Sequence, residues 1–282
     1  MSAVGSAPAL RDVPGPSAVG GGAKRFFELT WLLASTDFKL NYLDTAFGYL
    51  WSLMRPLLLF GVLYTVFTKV LRFGGDIPHY ADLVLFNIIL YGFFSESTTR
   101  SVGCIPGSEH IVRKTQFPRL VIPLSVVLTG LFNLCLSLIA VFVFLIATGV
   151  TPRLTWLALP LILALLLLLT AGVSTLLSVL YVRFRDIAQI WGVLALAIFY
   201  ASPVLYPVEK VPHSLQWLLL INPLAPLLTA GRRLVIDPNA PSTVDIVGSA
   251  WGIIGPALVL VVICVTAFWL FNRAAPQVAE EL

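Results

Sequence analysis

The chain has 282 residues, 58% of them hydrophobic and 11% charged, with a mean hydropathy of +0.93, against an apolar content of roughly 45–50% in soluble domains. This composition excludes an ordinary soluble domain and leaves an integral membrane protein, in which each helical span takes about 20 apolar residues. Eighteen Lys and Arg against 14 Asp and Glu give a net charge of +4, an excess that in a membrane protein reports orientation through basic cytoplasmic loops and does not require nucleic acid.

The fold class expected is an all-α integral membrane protein: six transmembrane helices with an N-terminal interfacial amphipathic helix, a cytoplasmic coupling helix and an outer re-entrant helical hairpin. Residues 1–23, rich in Gly, Pro, Ala and Ser and without an apolar run, read as a disordered cytoplasmic tail and not a signal peptide. Residues 24–46 set Phe27, Trp31, Phe38 and Tyr42 among charges in a helical rhythm, the pattern of a helix lying in the membrane interface. The permease domain then fills 47–282. Its six apolar segments run from Gly48 to Val70, Ala81 to Val102, Leu120 to Thr148, Leu154 to Val182, Ile187 to Tyr206 and Trp251 to Phe271. With the N-terminus inside, 12 of the 18 basic residues fall on the cytoplasmic side and six outside, which places both termini in the cytoplasm.

Two connections are longer than a turn requires. Between the second and third segments, Ser108 is placed to cap a short helix from Glu109 to Gln116, which Pro118 stops because the residue before a proline is pushed out of the α region. Such a helix suits a docking handle, and its charge also serves as a topology signal. The outer stretch 207–248 is apolar in its middle but too short to cross and interrupted at Asn222, Pro223 and Pro226. A re-entrant hairpin at an exit mouth and a pair of helices lying flat on the outer surface both fit.

The chemistry that is missing narrows the function. No Gly-x-x-x-x-Gly-Lys-Ser/Thr phosphate loop, no Gly-x-Ser-x-Gly elbow and no Asp-x-Asp pair occurs. Cys104, Cys135 and Cys264 show no Cys-x-x-Cys spacing, and the three histidines are scattered, so neither a disulfide framework nor a zinc or other metal site is implied. The centres of the apolar segments are nearly free of ionisable groups, which counts against an ion-driven carrier. A transporter of this composition draws its energy from a partner.

Five stretches carry a resemblance: "FGYLWSLMRPLLL" (47–59), "IVRKTQFPRLVIPLS" (111–125), "VRFRDIAQI" (182–190), "SPVLYP" (202–207) and "INPLAPLL" (221–228). In this order and at this spacing the chain resembles the permease subunit of type-two ABC exporters, most of all those that export polysaccharides and polyol phosphates. It departs where the family has a basic "RYR" run, here Asn41, Tyr42, Leu43 and Asp44, with Lys39 supplying some charge. The resemblance implies a second copy of the chain and two ATP-binding cassette subunits, which bind the ATP and Mg, so that no cofactor belongs to this chain and it is not an enzyme. It implies coupling residues Glu109, His110, Arg113, Lys114 and Gln116 in the short cytoplasmic helix, with Arg183, Arg185 and Asp186 in the next cytoplasmic loop.

The implied cargo is a glycan on a polyprenyl diphosphate, of O-antigen, galactan or teichoic-acid type, crossing the bacterial cytoplasmic membrane. A channel for a sliding sugar chain suits aromatic faces that stack without strong hydrogen bonds, and Tyr42, Tyr49, Trp51, Phe93, Phe94, Phe199 and Tyr200 are the candidates. Arg55 is placed either to hold the diphosphate bidentately or to snorkel to the interface. Two alternatives stand beside this: an exporter of the same build for a drug or small lipid, and a polyprenyl-lipid transferase, which needs a convergent set of ionisable residues.

Overall fold

The structure, a computed structural model, describes residues 22–42, 48, 50–72, 77–108, 118–216 and 221–274. The described residues are helical and contain no strand. Helix α1 (Ala23–Leu40) starts after Gly22 and turns Phe26, Thr30 and Ala34, one every fourth residue, inward. Helix α2 (Leu50–Thr65) carries Pro56 and ends in a π turn over Val66–Val70. After α3 (Tyr80–Val102) and a single turn at Cys104–Gly107 comes α4 (Val121–Ala147). Helix α5 (Leu159–Arg183) is entered through a 3-10 turn at Leu154–Ala158 and α6 (Ile187–Ala201) follows directly. Helices α7 (Leu224–Val235), α8 (Thr243–Val247) and α9 (Trp251–Ala274) complete the chain order.

Helix α3 is the axis of the bundle. It packs against α2, α4, α5, α6 and α7, and Leu83, Leu85, Phe86 and Leu90 on it are almost fully buried. Helix α9 lies mainly against α5. Contacts fix the directions of the neighbours. The rings of Tyr64 and Tyr80 lie 6.3 Å apart, so the end of α2 meets the start of α3. Thr148 donates to Asp82 at 2.7 Å, so the end of α4 meets it too. Along α6, Trp191 pairs with Thr98 and Ala195 with Tyr91. All three helices therefore run antiparallel to α3.

Helix α1 is aligned with α4. Phe26 packs with Val121 and Ile122, Thr129 donates to the Ala34 carbonyl at 3.2 Å, and Phe38 stands 5.5 Å from Phe132. Successive contacts advance together along both helices, for about 15 Å at 1.5 Å per residue. The segment expected to lie in the membrane interface is thus held lengthwise on the first half of α4, with Phe27, Trp31 and Leu32 exposed.

Four helices are long and apolar enough to cross a membrane: Leu53–Val70, Val121–Ala147, Leu154–Arg183 and Trp251–Ala274. The expected second and fifth segments depart from that standard for different reasons. Helix α3 is long enough at 23 residues, but Asp82, Asn87, Glu96 and Arg100 dilute its apolar character. Its neighbours cover it, and its polar groups find partners inside the bundle: Asp82 holds His79 at 2.8 Å as well as Thr148, and Asn87 donates to the Pro203 carbonyl at 2.9 Å. Helix α6 has only 15 residues, about 22 Å against a hydrocarbon core of about 30 Å. It ends at Ala201, not Tyr206, because Ser202 is extended (φ −91, ψ 152) ahead of Pro203. The chain continues as a non-helical run in which Val204 and Leu205 are buried and the Leu205 carbonyl accepts from Tyr80 at 2.8 Å.

Candidate functional site

Between α2, α3, α4 and α6 lies a groove of about 910 Å³. Helix α2 contributes Arg55, Pro56, Leu59 and Leu63; α4 contributes Val126, Gly130, Asn133, Leu134 and Ser137. Helix α6 contributes Gly192, Ala195, Leu196, Phe199 and Tyr200, and Asn41 and Tyr42 reach in from the end of α1. The floor is α3, which lines the groove from Ile88 to Arg100, a length of about 18 Å. Gly130 sets the distance between two walls. A Cβ there would collide with the Ser97 hydroxyl and approach the Phe93 ring at 3.3 Å, so only glycine lets α4 close this far onto α3.

The groove is graded in polarity along α3. Near Ile88 and Ile89 its lining is apolar; towards Arg100 it presents Ser95, Glu96, Thr99 and Asn41. Aromatic faces stand between. Tyr91 and Phe199 lie 5.1 Å apart edge to face, and Phe199 and Tyr200 form a second such pair at 5.1 Å. At the polar end Arg100 donates to Asn41 Oδ1 at 3.1 Å and stands 3.9 Å from Glu96. Tyr42 donates to Asn133 Oδ1 at 2.6 Å. Partial desolvation pushes the Asp37 carboxyl above its ordinary range, with the Arg100 charge pulling the other way. Arg55 is exposed on the α2 wall.

Of the aromatic candidates from the sequence, Tyr42, Phe93, Phe199 and Tyr200 converge on this groove together with Arg55. Phe94 does not: it is buried against Tyr91 and Trp191. Tyr49 and the Trp51 side chain lie outside the described residues, as do Glu109, His110, Arg113, Lys114 and Gln116 of the expected coupling helix and residues 1–21 of the expected tail. Arg183, Arg185 and Asp186 are exposed at the turn after α5. The Arg183 guanidinium sits 5.7 Å from the Phe184 ring and that of Arg185 5.1 Å from Tyr181, cation–π contacts worth about 0.5–1 kcal/mol at exposed sites.

The outer prolines start a helix where the sequence suggested an interruption. Pro223 precedes α7 and Pro226 falls in its first turn, where the missing N–H costs no helical bond. Asn222 fixes that start, accepting from the Leu224 amide at 3.0 Å and donating to Ser202 at 2.7 Å. Gly231 lets α7 press onto α3, since a Cβ there would meet Phe86 at 2.7 Å.

Several polar residues escaped the sequence reading. Glu96, Arg100, Asn41 and Asn133 form the polar end of the groove, and the Glu96/Arg100 spacing of four residues in an otherwise apolar segment was the available signal. Arg232, counted there as a loop charge, is 8% exposed and paired with Glu209 at 2.8 Å. Among the described residues no group of three His, Cys, Asp or Glu side chains is gathered to hold a metal ion.

Comparison with known proteins places this geometry in a family. The profile of the ABC-2 type transporter family matches residues 28–235. An O-antigen export system permease protein, RfbA, from Klebsiella pneumoniae is 34% identical over 213 residues, 75% of this chain and 81% of that protein. The RfbA of Myxococcus xanthus is 27% identical over 89% of this chain and 94% of its own. The polysialic acid transport protein KpsM of Escherichia coli is 26% identical over 67% of this chain and 74% of its own. The matched region takes in every wall of the groove from α1 to α6, and the chain, a multi-pass membrane protein, belongs to the ABC-2 type transporter family.

Proposed function

We propose that this chain is the membrane subunit of an ATP-driven exporter that passes a polysaccharide, carried on a polyprenyl diphosphate, across the bacterial cytoplasmic membrane. The observation that carries the reading is the groove: a path about 18 Å long, with aromatic faces for sugar rings and a polar end that admits a hydrated chain. The printed names of the relatives, O-antigen export and polysialic acid transport, point to the same class of cargo.

In this reading six segments cross, with both termini cytoplasmic. Helix α3 crosses inside the bundle, shielded by its neighbours, and α6 crosses with the run that follows it to Tyr206. The polar end of the groove then faces the cytoplasm. A second copy of the chain completes the passage, and two ATP-binding cassette subunits bind ATP and Mg and hydrolyse it. Glu109, His110, Arg113, Lys114 and Gln116 transmit that work, with Arg183, Arg185 and Asp186 beside them. Arg55 and the aromatic side chains of the groove guide the cargo, and the segment at Asn222, Pro223 and Pro226 forms its outer exit.

Two measurements test this. Depletion of the protein in cells should cause lipid-linked glycan to accumulate on the cytoplasmic side, whereas an exporter of a drug or small lipid causes none. Replacing Arg113 and Lys114 by Glu should leave the protein inserted and its partner's ATP hydrolysis running while export stops. Undiminished export in that variant refutes the coupling role.

A further inference from the structure

The two ends of the groove are fastened differently. At the outer end the fastenings are sheltered: Tyr80 to the Leu205 carbonyl, Asn87 to that of Pro203, Trp156 Nε1 to that of Val235 at 3.1 Å, and Arg232 bidentate to Glu209. At the polar end two side-chain pairs bridge from the end of α1, Asn41 to Arg100 on α3 and Tyr42 to Asn133 on α4. The Arg100 bond is exposed and the Tyr42 bond part-buried. Water replaces exposed hydrogen bonds at little net cost, so regions held by them open first.

We propose that Asn41 and Tyr42, with their partners Arg100 and Asn133, are positioning residues that close the polar end of the groove, and that the glycan loads when the end of α1 withdraws from α3 and α4. Both bridges start from adjacent residues, so one movement of that junction breaks both. The pairs sit at the mouth of the groove and line it, so releasing them uncovers the path itself. Arg100 anchors the closed state, with Asn41 and Glu96 as acceptors and the Asp37 charge close enough to feel it. This assignment rests on the groove being the substrate path and its polar end being cytoplasmic.

The test is cysteine accessibility in the full-length chain in membrane vesicles, with Cys104, Cys135 and Cys264 replaced and Ser137→Cys as reporter. Ser137 lines the groove and is only 7% exposed. A membrane-impermeant maleimide is applied to inside-out vesicles. Combining Asn41→Ala with Tyr42→Phe should raise the labelling rate about tenfold, equivalent to about 1.4 kcal/mol of lost closure. Asn41→Asp, which gives Arg100 a charged acceptor, should lower the rate below that of the parent. An unchanged rate overturns the proposal, as does a rise with both Asn41→Ala and Asn41→Asp, or an equal rise at a Leu63→Cys reporter further along the groove. Enhanced labelling only in right-side-out vesicles overturns the cytoplasmic placement. Labelling needs no cargo, so a failed export assay and a failed latch are told apart.

Discussion

Gly130→Ala measures how tightly α3 and α4 are fitted at the groove. The added Cβ would overlap the Ser97 hydroxyl and stand 3.3 and 3.4 Å from two carbons of the Phe93 ring. Overpacking of this kind costs about 1–3 kcal/mol, while exchanging Gly for Ala inside a helix returns about 1 kcal/mol. The net expectation is a loss of about 1 kcal/mol. Ser97→Ala removes the main obstacle, and it also removes a buried hydroxyl that has no hydrogen-bond partner, so alone it should be neutral or stabilising. The double variant then keeps the helical gain with only the Phe93 contacts to absorb it, and its stability should equal or exceed that of the parent. The coupling between the two sites should thus be at least about 1 kcal/mol, beyond the few tenths expected of independent sites. The assay is thermal unfolding of the four proteins in lipid nanodiscs, each measured for recovery on cooling. Additivity within about 0.5 kcal/mol would refute the close approach of the two helices.

Further outcomes follow from other contacts. Glu209→Ala should destabilise by about 2 kcal/mol, below the 3–5 of a fully buried pair because Glu209 is 30% exposed and Asp237 remains 4.0 Å from Arg232; unfolding that is restored by adding Arg232→Met identifies the stranded charge as the cause. Asp37 binds its proton more tightly in the folded state than unfolded, so its contribution falls as pH rises from 3.8 through the raised value. Asp37→Asn should flatten the melting temperature across that window, and Arg100→Gln should steepen it. Phe199→Ala should slow export with little change in melting temperature, whereas Phe94→Ala, in the core, should cost about 3–5 kcal/mol; a reversal of this order would exchange their roles.

The helices easiest to read from sequence are those that meet lipid. Helices α4, α5 and α9 expose Ile139, Val143, Leu161, Leu168, Leu258 and Val262, and a surface facing hydrocarbon must be apolar throughout, so their pattern is visible locally. Helix α3 answers to its neighbours instead. Asp82 is tolerable because Thr148 and His79 reach it, and Asn87 because the chain after α6 turns a carbonyl towards it. Those partners are 66 and more than 100 residues away for Thr148 and Pro203, beyond any local window. The groove shows the same division. Its aromatic residues stood out by type, but its polar end is assembled from residues that look like flanking charge, and Phe94 differs from Phe93 only in which side of α3 it occupies. At α7 the prolines were legible as punctuation, yet whether a proline ends one helix or begins the next depends on Asn222 and Ser202 meeting across the turn.

The enclosure of α3 also bears on how the protein enters the bilayer. A helix bearing Asp82, Asn87, Glu96 and Arg100 partitions poorly by itself, since each charged residue near a helix centre costs about 2.5–3.5 kcal/mol on insertion scales. Helix α4, which bears no charged residue, inserts readily, and its end carries the hydroxyl that Asp82 requires. The two must therefore enter as a hairpin, with α3 waiting at the insertion machinery until α4 has been synthesised. Truncation before Thr148 should strand α3 outside the bilayer, making this helix the slow step of biogenesis and the first casualty of a frameshift downstream.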